Sequence, residues 1–277
     1  MDSARMEPEW LVDADSAARR CSDFIRETID AVGAAGVVIG LSGGIDSAVA
    51  AALAVKALGA DRVHGVYLPY RLSHPSSLAD AKAVAENLGI QAEYHDITDM
   101  ADAMLDGVPD DALLRRGNVM ARCRMVVLYD VSARDGSLVL GTGNRTETLL
   151  GYATLHGDAA FALNPLGDLY KAEVRALARH LELPEAVLTK APSADLWEDQ
   201  TDEGELGFTY AEADRLLHHM IDEGLGKKQL TALGFAADLV DDVRRRVLAQ
   251  AFKWLPVPYA VVADRPMPDL DDLRKRG

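Results

Sequence analysis

The stretch VVIGLSGGIDSAVAAALAV, residues 37–55, decides how the rest of the chain can fold. It begins with a continuous β-branched run, which is typical of a strand buried on both faces of a parallel sheet. Gly43 and Gly44 then permit a tight turn, and an alanine-rich helix starts near Asp46. Backbone N–H groups in such a turn point at one spot, and the helix dipole adds positive potential there. The stretch predicts a strand–turn–helix unit that binds pyrophosphate, although glycine turns without a ligand are also common.

Predicted strands and helices alternate around this unit. We expect helices within residues 9–32, 75–89, 110–133 and 170–183, and strands within 62–69, 91–97 and 135–144. Gly117 is a weak point of the third helix, because glycine lowers helix stability. A polar loop starts at about Ala191, and two or three helices follow it and end near Lys253. The alternation predicts an α/β fold: a doubly wound parallel sheet flanked by helices, with C-terminal helices after it.

Ligands of a doubly wound sheet bind at the carboxyl ends of its strands. The loops at those ends are residues 40–47, 69–74, 96–99 and 141–147, which become the candidate site loops. The first loop contains neither GxGxxG nor the lysine of a Walker loop. The loop by itself therefore leaves open what neutralises a phosphate bound there.

Composition predicts a soluble globular protein rather than a disordered or membrane-spanning one. Hydrophobic residues make up 49% and charged residues 26% of the 277 positions, and no apolar run is long enough to cross a bilayer. The first residues, MDSARMEPEWL, lack the profile of a signal peptide. Cys21 and Cys123 form no CxxC, which disfavours a disulfide scaffold or a zinc site. We expect a cytoplasmic protein, with one domain over residues 1–260 and a charged tail over 261–277.

The net charge bears on the class of partner. With 44 acidic and 29 basic residues, the formal charge is −15. Sequence-independent affinity for nucleic acid comes from basic groups on phosphates, so this balance argues against DNA or RNA as a partner. It leaves room for a local basic pocket that takes a nucleotide. Solubility and adaptation to salt are both open as reasons for the acidic surface.

Several motifs carry a family resemblance. SGGIDS, residues 42–47, resembles the PP-loop SGGxDS of the ATP pyrophosphatases, which cleave ATP between the α and β phosphates and adenylate an oxygen of the substrate. GNVMARCRMVVLYDVS (117–132), GTGNRTETLLGY (141–152), NPLGDLYKAEVRALA (164–178) and PSADLWEDQTDEGELGF (192–208) look like the NAD synthetase family. The resemblance runs from about Val37 to Phe208 and implies an adenine nucleotide alpha hydrolase-like fold.

The resemblance implies an ATP and Mg²⁺ site. Asp46 and Glu147 would be the metal carboxylates, and Lys171 would supply the missing cation; these three are the candidate catalytic residues. A solvated acid at a helix start is the alternative for Glu147, and a turn hydroxyl is the alternative for Thr142. The implied ATP-binding set is Gly40, Leu41, Ser42, Gly43, Gly44, Ile45, Asp46, Ser47, Thr142, Lys171 and Ser193.

The segment 193–207 is too polar to be core. It is either a solvated connection or, as the resemblance implies, a lid that excludes water from a reactive acyl-adenylate. Trp197 is the candidate anchor of the closed form.

The second substrate implied by the resemblance is deamido-NAD (nicotinic acid adenine dinucleotide). Arg122 matches the arginine that meets it, with a surface salt bridge as the alternative, and only one of Arg122 and Arg124 is expected to serve. The sequence departs from the family pattern at three of the other contact positions. Leu155 stands where a lysine is expected, Ala162 where an aspartate is, and Phe252 where a histidine is, whereas Lys253 is retained. Either the same dinucleotide is held by other residues, or the acceptor acid differs.

The implied reaction is ATP-dependent amidation of deamido-NAD to NAD through an acyl-adenylate, with release of AMP and pyrophosphate. Free ammonia is the expected nitrogen source, because 277 residues leave no room for a glutaminase domain; a separate glutaminase partner is open. The resemblance also implies a homodimer, with residues 110–133 as the candidate contact helix. An amide synthetase for another carboxylic acid, a tRNA thiolase and a non-catalytic ATP-binding sensor are the alternatives. The histidines, among them His74, His95 and His156, show no metal-site spacing.

Overall fold

Four parallel strands form the central sheet, in the order β3-β2-β1-β4. They are β1 (Val37–Gly40), β2 (Val63–Tyr67), β3 (Gln91–Tyr94) and β4 (Leu138–Val139). The strand order reverses between β1 and β4, so a crevice opens there at the carboxyl end of the sheet. Val37 pairs with Val63 on one side and with Leu138 on the other, which fixes the register of the three strands around the crevice.

This computed structural model describes residues 11–193, 200–258, 260 and 262–263. The first residues of the helix predicted within 9–32, residues 194–199 of the predicted lid with its anchor Trp197, and most of the tail lie outside the described residues. Twelve α-helices lie within the described ranges: α1 (Ala14–Val32), α2 (Ile45–Leu58), α3 (Pro75–Leu88), α4 (Thr98–Leu105), α5 (Leu113–Asp135), α6 (Arg145–Leu150), α7 (Lys171–His180), α8 (Glu185–Thr189), α9 (Asp202–Leu206), α10 (Tyr210–Leu217), α11 (Lys227–Ala232) and α12 (Ala237–Gln250).

Both faces of the sheet are covered, as a doubly wound fold requires. Val37 and Ile39 of β1 point into a core shared with α1, α2, α3 and α7. Val38 of the same strand points into a second core shared with α4 and α5. These three side chains are fully buried, which confirms that the β-branched run forms a strand covered on both faces.

Local signals set the helix ends. Helix α3 begins with Pro75 in its first turn and ends at Gly89, whose φ of +66° is the left-handed conformation of a C-terminal cap. The long helix α5 tolerates Gly117, which is buried in its second turn. Helices α4 and α8 were not predicted, nor was α9 inside the supposed loop of residues 193–207; α6 was foreseen only in the alternative for Glu147. Thr201 caps α9 by accepting a hydrogen bond from the N–H of Gly204, and Gly207 ends it with φ +82°.

A third core joins the C-terminal helices to the site. Leu149 and Leu150 of α6 pack with Tyr210 and Leu217 of α10 and with Val243 of α12. The two or three helices predicted for this region are α10, α11 and α12, with a π-helical turn at His218–Asp222 after α10. No helix in the described part of the chain is long and apolar enough to cross a membrane. Cys21 and Cys123 are unbonded thiols, as expected.

Candidate active site

A cavity of about 1590 Å³ lies at the carboxyl end of the sheet. Three of the four predicted site loops line it, because they follow β1, β2 and β4, the strands that flank the crevice. Residues 96–99 do not line it: they follow the edge strand β3 and lead into α4, where Thr98 Oγ1 accepts from the N–H of the lining residue Arg71 at 3.0 Å. Sites for one small ligand usually measure about 300–1,000 Å³, so this cavity has room for two substrates.

The phosphate loop, defined as residues 40–47, forms the floor. The Ser42 and Ser47 hydroxyl oxygens lie 3.1 Å apart, and the N–H of Gly44 donates to Ser42 Oγ at 3.2 Å. Gly43 has φ +75°, and a Cβ placed on it would stand 2.3 Å from the carbonyl oxygen of Ser77. Only glycine can occupy this position, because both the conformation and the space exclude a side chain. The last residues of the loop, from Ile45 onward, are the first turn of α2, so the N–H groups at the start of the helix face the same region.

Two carboxylates and one lysine meet beside the phosphate loop. Lys171 Nζ donates to Asp46 Oδ2 at 2.5 Å and to Glu147 Oε1 at 3.0 Å. The lysine is only 2% exposed, and its ammonium lies 4.9 Å from the centre of the Tyr210 ring. The lysine that the resemblance implies does lie at the loop. Lys171 is the first residue of α7, and it contacts Asp46, which stands 125 residues before it in the chain.

Asn144 locks the two carboxylates in place. Its side-chain amide donates to Asp46 Oδ1 at 2.9 Å, and its carbonyl oxygen accepts from the backbone N–H of Glu147 at 3.0 Å. Glu147 Oε2 in turn accepts from the N–H of Asn144, which completes the capping box of α6. Glu147 therefore does stand at a helix start, but it is not the solvated acid of the alternative: its side chain is only 16% exposed and bonds to Lys171.

Burial and charge set the protonation of this group. Burial raises the pKa of Glu147 to about 7; Lys171 opposes the rise, and Asp46 adds to it. Burial alone would lower the pKa of Lys171, but the two carboxylates outweigh that effect and raise it. The ammonium thus stays charged in the neutral range. Because oxygen atoms from two acidic side chains converge on one cationic group, the same oxygens could hold a hard divalent cation.

Buried polar groups behind the carboxylates hold them further. Asp214 on α10 accepts from the hydroxyl of Thr146 at 2.5 Å and from the N–H of Ala172 at 2.8 Å, so it joins the starts of α6 and α7. Asp202 accepts from the hydroxyls of Tyr210 at 3.0 Å and Tyr152 at 3.1 Å. The sequence reasoning missed Asp214 and Tyr210. The capping box of Thr209 and Glu212, which marks the start of α10, was the available signal.

Lys190 is a second cation of the cavity that the sequence reasoning missed. Its Nζ donates to Asp80 Oδ2 at 2.8 Å and to Ser77 Oγ at 3.3 Å. These are the α3 residues against which Gly43 packs, so the ammonium lies beside the phosphate loop. Thr142 and Ser193 also line the cavity, as expected for nucleotide contacts.

A different set of groups lines the other side of the cavity. Arg122 donates from Nε and Nη2 to the carbonyl oxygen of Leu155, at 3.3 and 3.2 Å. Arg124 Nε donates to the carbonyl oxygen of Leu68 at 3.0 Å. Both arginines line the cavity, so the expectation that only one of them serves stays a prediction. They leave α5 on different sides, but each long side chain reaches a backbone carbonyl at the cavity wall.

The positions that depart from the family pattern separate into two groups. Leu155 and Phe252 line the cavity, and Phe252 is 61% exposed. Lys253 Nζ donates to the carbonyl oxygens of Gly151 at 2.6 Å and Ala153 at 2.8 Å, which fixes the turn that precedes Leu155. Ala162 does not line the cavity. Its N–H donates to the carbonyl of Val139, and its side chain is exposed outside the site.

Comparison with known proteins identifies relatives over most of the chain. The family model of NAD synthase matches residues 17–256. The NH(3)-dependent NAD(+) synthetase of Chlorobium phaeovibrioides is 52% identical over 244 residues, which are 88% of this chain and 88% of that protein. The protein of the same name from Trichlorobacter lovleyi is 52% identical over 230 residues, or 83% of this chain and 84% of that one.

Solved structures with the same architecture are similar over nearly their whole length. The NMN synthetase of Francisella tularensis has a TM-score of 0.79 at 32% identity and covers 92% of this chain and 100% of its own. The NH3-dependent NAD synthetase of Campylobacter jejuni, in complex with the nitrate ion, has a TM-score of 0.77 at 33% identity. The match covers 90% of this chain and 99% of that one.

Proposed function

Because the chain belongs to the NAD synthase family, we propose that it is a ligase that amidates deamido-NAD to NAD with ATP and ammonia. The products are NAD, AMP and pyrophosphate. The observation that carries this proposal is the group of Asp46, Glu147 and Lys171 beside the phosphate loop, at one end of a cavity large enough for a nucleotide and a second substrate. The relatives at about half identity bear the name of the same reaction.

Two cations flank the phosphate loop in this proposal. Lys171 approaches it from the side of α6 and α7, and Lys190 approaches it from the side of α3 and α8. Together with the N–H groups at the start of α2, they neutralise a triphosphate that the loop alone could not. Thr142 and Ser193 supply further contacts to the nucleotide from the wall of the cavity.

Mg²⁺ fits the donor set at Asp46 and Glu147. Magnesium takes oxygen ligands only and keeps several of its waters, so two carboxylates with substrate phosphates are a sufficient set. When bound, the ion supplies charge neutralisation for the departing pyrophosphate. Asn144 and Lys171 keep the two carboxylates pointing at a common position, and this is the role of the chain's own residues.

The chemistry needs positioning more than acid–base groups. The carboxylate of the nicotinate ring attacks the α-phosphorus, the bond to the β-phosphate oxygen breaks, and pyrophosphate leaves. Ammonia then attacks the acyl carbon and AMP leaves with the carboxylate oxygen. A cavity that holds both substrates in contact makes the first step effectively unimolecular, and the fixed charges beside the loop stabilise the transferring phosphoryl group.

A second acceptor has support from one comparison. The structure from Francisella tularensis is named NMN synthetase, and it is as similar in fold to this chain as the NAD synthetase structure is. Leu155 and Phe252 place apolar side chains where the family pattern has polar ones on the acceptor side of the cavity. This difference bears on which acceptor the cavity binds. A mononucleotide with the same nicotinate carboxylate is therefore the second candidate. The cavity volume and the relatives at 52% identity favour the dinucleotide.

The assembly belongs to the same proposal. We propose one domain over residues 1–260, a homodimer through α5, free ammonia as the nitrogen source and a cytoplasmic location. Exposed apolar side chains on α5, namely Leu113, Leu114, Val126 and Tyr129, support the dimer. The unbonded Cys21 and Cys123 are consistent with a reducing compartment.

The test is a product assay with two acceptors in parallel. Purified protein with Mg-ATP and ammonium receives either deamido-NAD or nicotinate mononucleotide, and the products are separated by chromatography. The proposal predicts equal amounts of NAD and AMP, with deamido-NAD as the better acceptor by kcat/KM. Preference for the mononucleotide would support the second candidate. ATP binding without AMP from either acceptor would contradict both.

A further inference from the structure

Two histidines and one glutamate, residue types that commonly bind metal ions, lie close together at the π-helical turn after α10. This turn is far along the chain from the phosphate loop. The three residues are His218, His219 and Glu223, and one ligand atom of each lies within 4.8 Å of the others. His219 Nδ1 is 2.7 Å from Glu223 Oε2, and His218 Nε2 is 3.4 Å from Glu223 Oε1. None of the three is among the residues that line the cavity.

The π turn is what brings both imidazoles to one carboxylate. In an ordinary α-helix, residues four apart lie on one face, which accounts for His219 and Glu223. His218 and Glu223 are five apart, and the N–H of Glu223 donates to the carbonyl of His218 at 3.1 Å. This wider turn places residue i+5 over residue i, so His218 faces Glu223 as well. Such turns are rare, and they occur frequently at functional sites.

The two imidazole rings are already oriented by their surroundings. His218 has Nδ1 at 3.2 Å from Asp222 Oδ2, which leaves Nε2 turned toward Glu223. A carboxylate behind one ring nitrogen, with the other nitrogen as the ligand, is the usual arrangement around a metal-bound histidine. The ring of His219 packs edge-on against Phe235 with 6.0 Å between the ring centres.

We propose that His218, His219 and Glu223 form a binding site for a zinc-class divalent ion, separate from the magnesium carboxylates. Two imidazole nitrogens and one carboxylate oxygen are a set that zinc accepts, with a water in the fourth position. Bonds of about 2.0–2.1 Å place tetrahedral ligands about 3.3 Å apart. The 3.4 Å between His218 Nε2 and Glu223 Oε1 matches that spacing, whereas the 2.7 Å between His219 Nδ1 and Glu223 Oε2 is a hydrogen bond that metal binding would replace and widen. Mg²⁺ prefers oxygen ligands and would not select this site.

The position of the site links it to the phosphate side of the cavity. Asp222, which holds His218, also accepts from Arg145 Nη2 at 2.5 Å and from the hydroxyl of Tyr170 at 2.8 Å. Arg145 opens α6, and Tyr170 is the N-cap of α7 directly before Lys171. An ion at this turn would therefore hold α10 to the starts of the two helices that carry Glu147 and Lys171, and stabilise their junction.

The test uses the metal alone on the full chain at a fixed neutral pH. Metal-free protein in millimolar Mg²⁺ is titrated with Co²⁺, read by its visible absorption, and with Zn²⁺, read by competition with a chromogenic indicator. The proposal predicts one equivalent bound, with a Co²⁺ spectrum of mixed nitrogen and oxygen ligation, and a rise in thermal midpoint with Zn²⁺. His219→Gln and Glu223→Gln should each weaken binding at least tenfold, because the loss of a residue that merely orients a ligand already costs about 10–100-fold.

Two controls keep the outcomes distinct. His180→Gln removes another surface histidine, which lies 3.8 Å from Asp15, and should leave the titration unchanged. Asp46→Asn removes a magnesium carboxylate and should leave the tight equivalent in place. No saturable binding, binding unchanged by both ligand variants, or binding abolished by Asp46→Asn would each overturn the proposal. Circular dichroism of every variant establishes that it is folded.

Discussion

The cavity has two sides that are built in opposite ways. On the phosphate side, Lys171 is buried, Asp46 and Glu147 are 18% and 16% exposed, and the three groups bond to one another and to Asn144. On the acceptor side, Arg122 and Lys253 lie nearer the surface, and their cations bond to backbone carbonyl oxygens. The phosphate side is a closed network of side chains, whereas the acceptor side is a set of cations that hold turns in place.

The difference indicates which side can change without loss of the reaction. A largely buried group of three charges tolerates little, because removal of one member leaves another charge without its partner. Replacement of a cation that donates to neutral carbonyl oxygens costs less, because no unpaired charge is left behind. The departures from the family pattern at Leu155 and Phe252 both fall on the acceptor side.

Asp46→Asn should have the largest effect. Loss of one carboxylate removes half of the proposed magnesium set and one partner of Lys171, so kcat/KM should fall by about 10²-fold or more. Steady-state assays over a range of Mg²⁺ measure the effect. Asp61→Asn, an exposed acid before β2 at the opposite end of the sheet, is the matched control and should keep normal activity. Near-normal turnover of Asp46→Asn would remove Asp46 from the metal site.

Lys190→Gln tests whether the phosphate side extends to the second cation. The change removes a positive charge beside the loop but leaves a side chain that can bond to Asp80 and Ser77. We expect the KM for ATP to rise about tenfold, the size of one charge-assisted hydrogen bond, and the KM for deamido-NAD to stay nearly constant. Lys82→Gln on α3 is the control. An equal rise in both constants would make Lys190 a structural residue of the α3–α8 contact.

Lys253→Ala tests the acceptor side. Without the ammonium, the carbonyls of Gly151 and Ala153 lose a donor, and the turn before Leu155 loosens. We expect the KM for the dinucleotide to rise several-fold, by the loss of about 1 kcal/mol of hydrogen bonding, and the KM for ATP to change less. Parallel saturation curves for the two substrates give the answer. A larger effect on ATP would show that the two sides are not separate.

Asp135→Asn should have the smallest effect, because it acts on neither side. The guanidinium of Arg134 and the imidazole of His64 lower the pKa of the Asp135 carboxyl to about 2. A lowered carboxyl pKa stabilises the fold above the unfolded value of about 3.9, and this contribution is lost as the pH falls toward 2. The variant should lose at most about 1 kcal/mol of unfolding free energy at pH 7, since the pair is near the surface.

Urea unfolding of both proteins at pH 7 and near pH 3 measures this difference. It should shrink at the lower pH and in 1 M salt, where charges on the surface are screened. A difference that persists unchanged in acid and in salt would show that Asp135 acts through packing or its helix-end position. Activity of the variant at pH 7 should equal that of the unchanged protein.

The fold and the phosphate side were predictable from local pattern. One continuous stretch contains the β-branched run of β1, the glycines of the loop and the alanines of α2. It therefore predicts the strand–turn–helix unit without any long-range contact. Asp46, Glu147 and Lys171 were named from motif resemblance. The hydrogen bonds among these three residues could not be predicted from the motifs. Lys171 and Asp46 are 125 residues apart and meet only because α7 packs beside α2.

The features that could not be predicted from the sequence depend on how the helices pack and how the strands pair. Lys190 ends a short helix, where a lysine is usually solvated, and its place beside the loop follows from the contact with α3. Ala162 was expected at the acceptor but does not line the cavity, and its place beside the bridge between Leu140 and Leu163 depends on strand pairing that local pattern does not show. Helix α9 has only five residues, and helices that short depend on their caps and contacts more than on propensity.

One measurement tests the central claim that both sides of the cavity serve a single adenylation. Deamido-NAD labelled with ¹⁸O in its nicotinate carboxylate is converted with Mg-ATP and ammonium, and the products are examined by mass spectrometry. The account predicts one ¹⁸O atom in the phosphate of AMP and none in pyrophosphate, because the carboxylate oxygen attacks the α-phosphorus and leaves with AMP. Label in pyrophosphate or in inorganic phosphate, or unlabelled AMP beside labelled NAD, would contradict it.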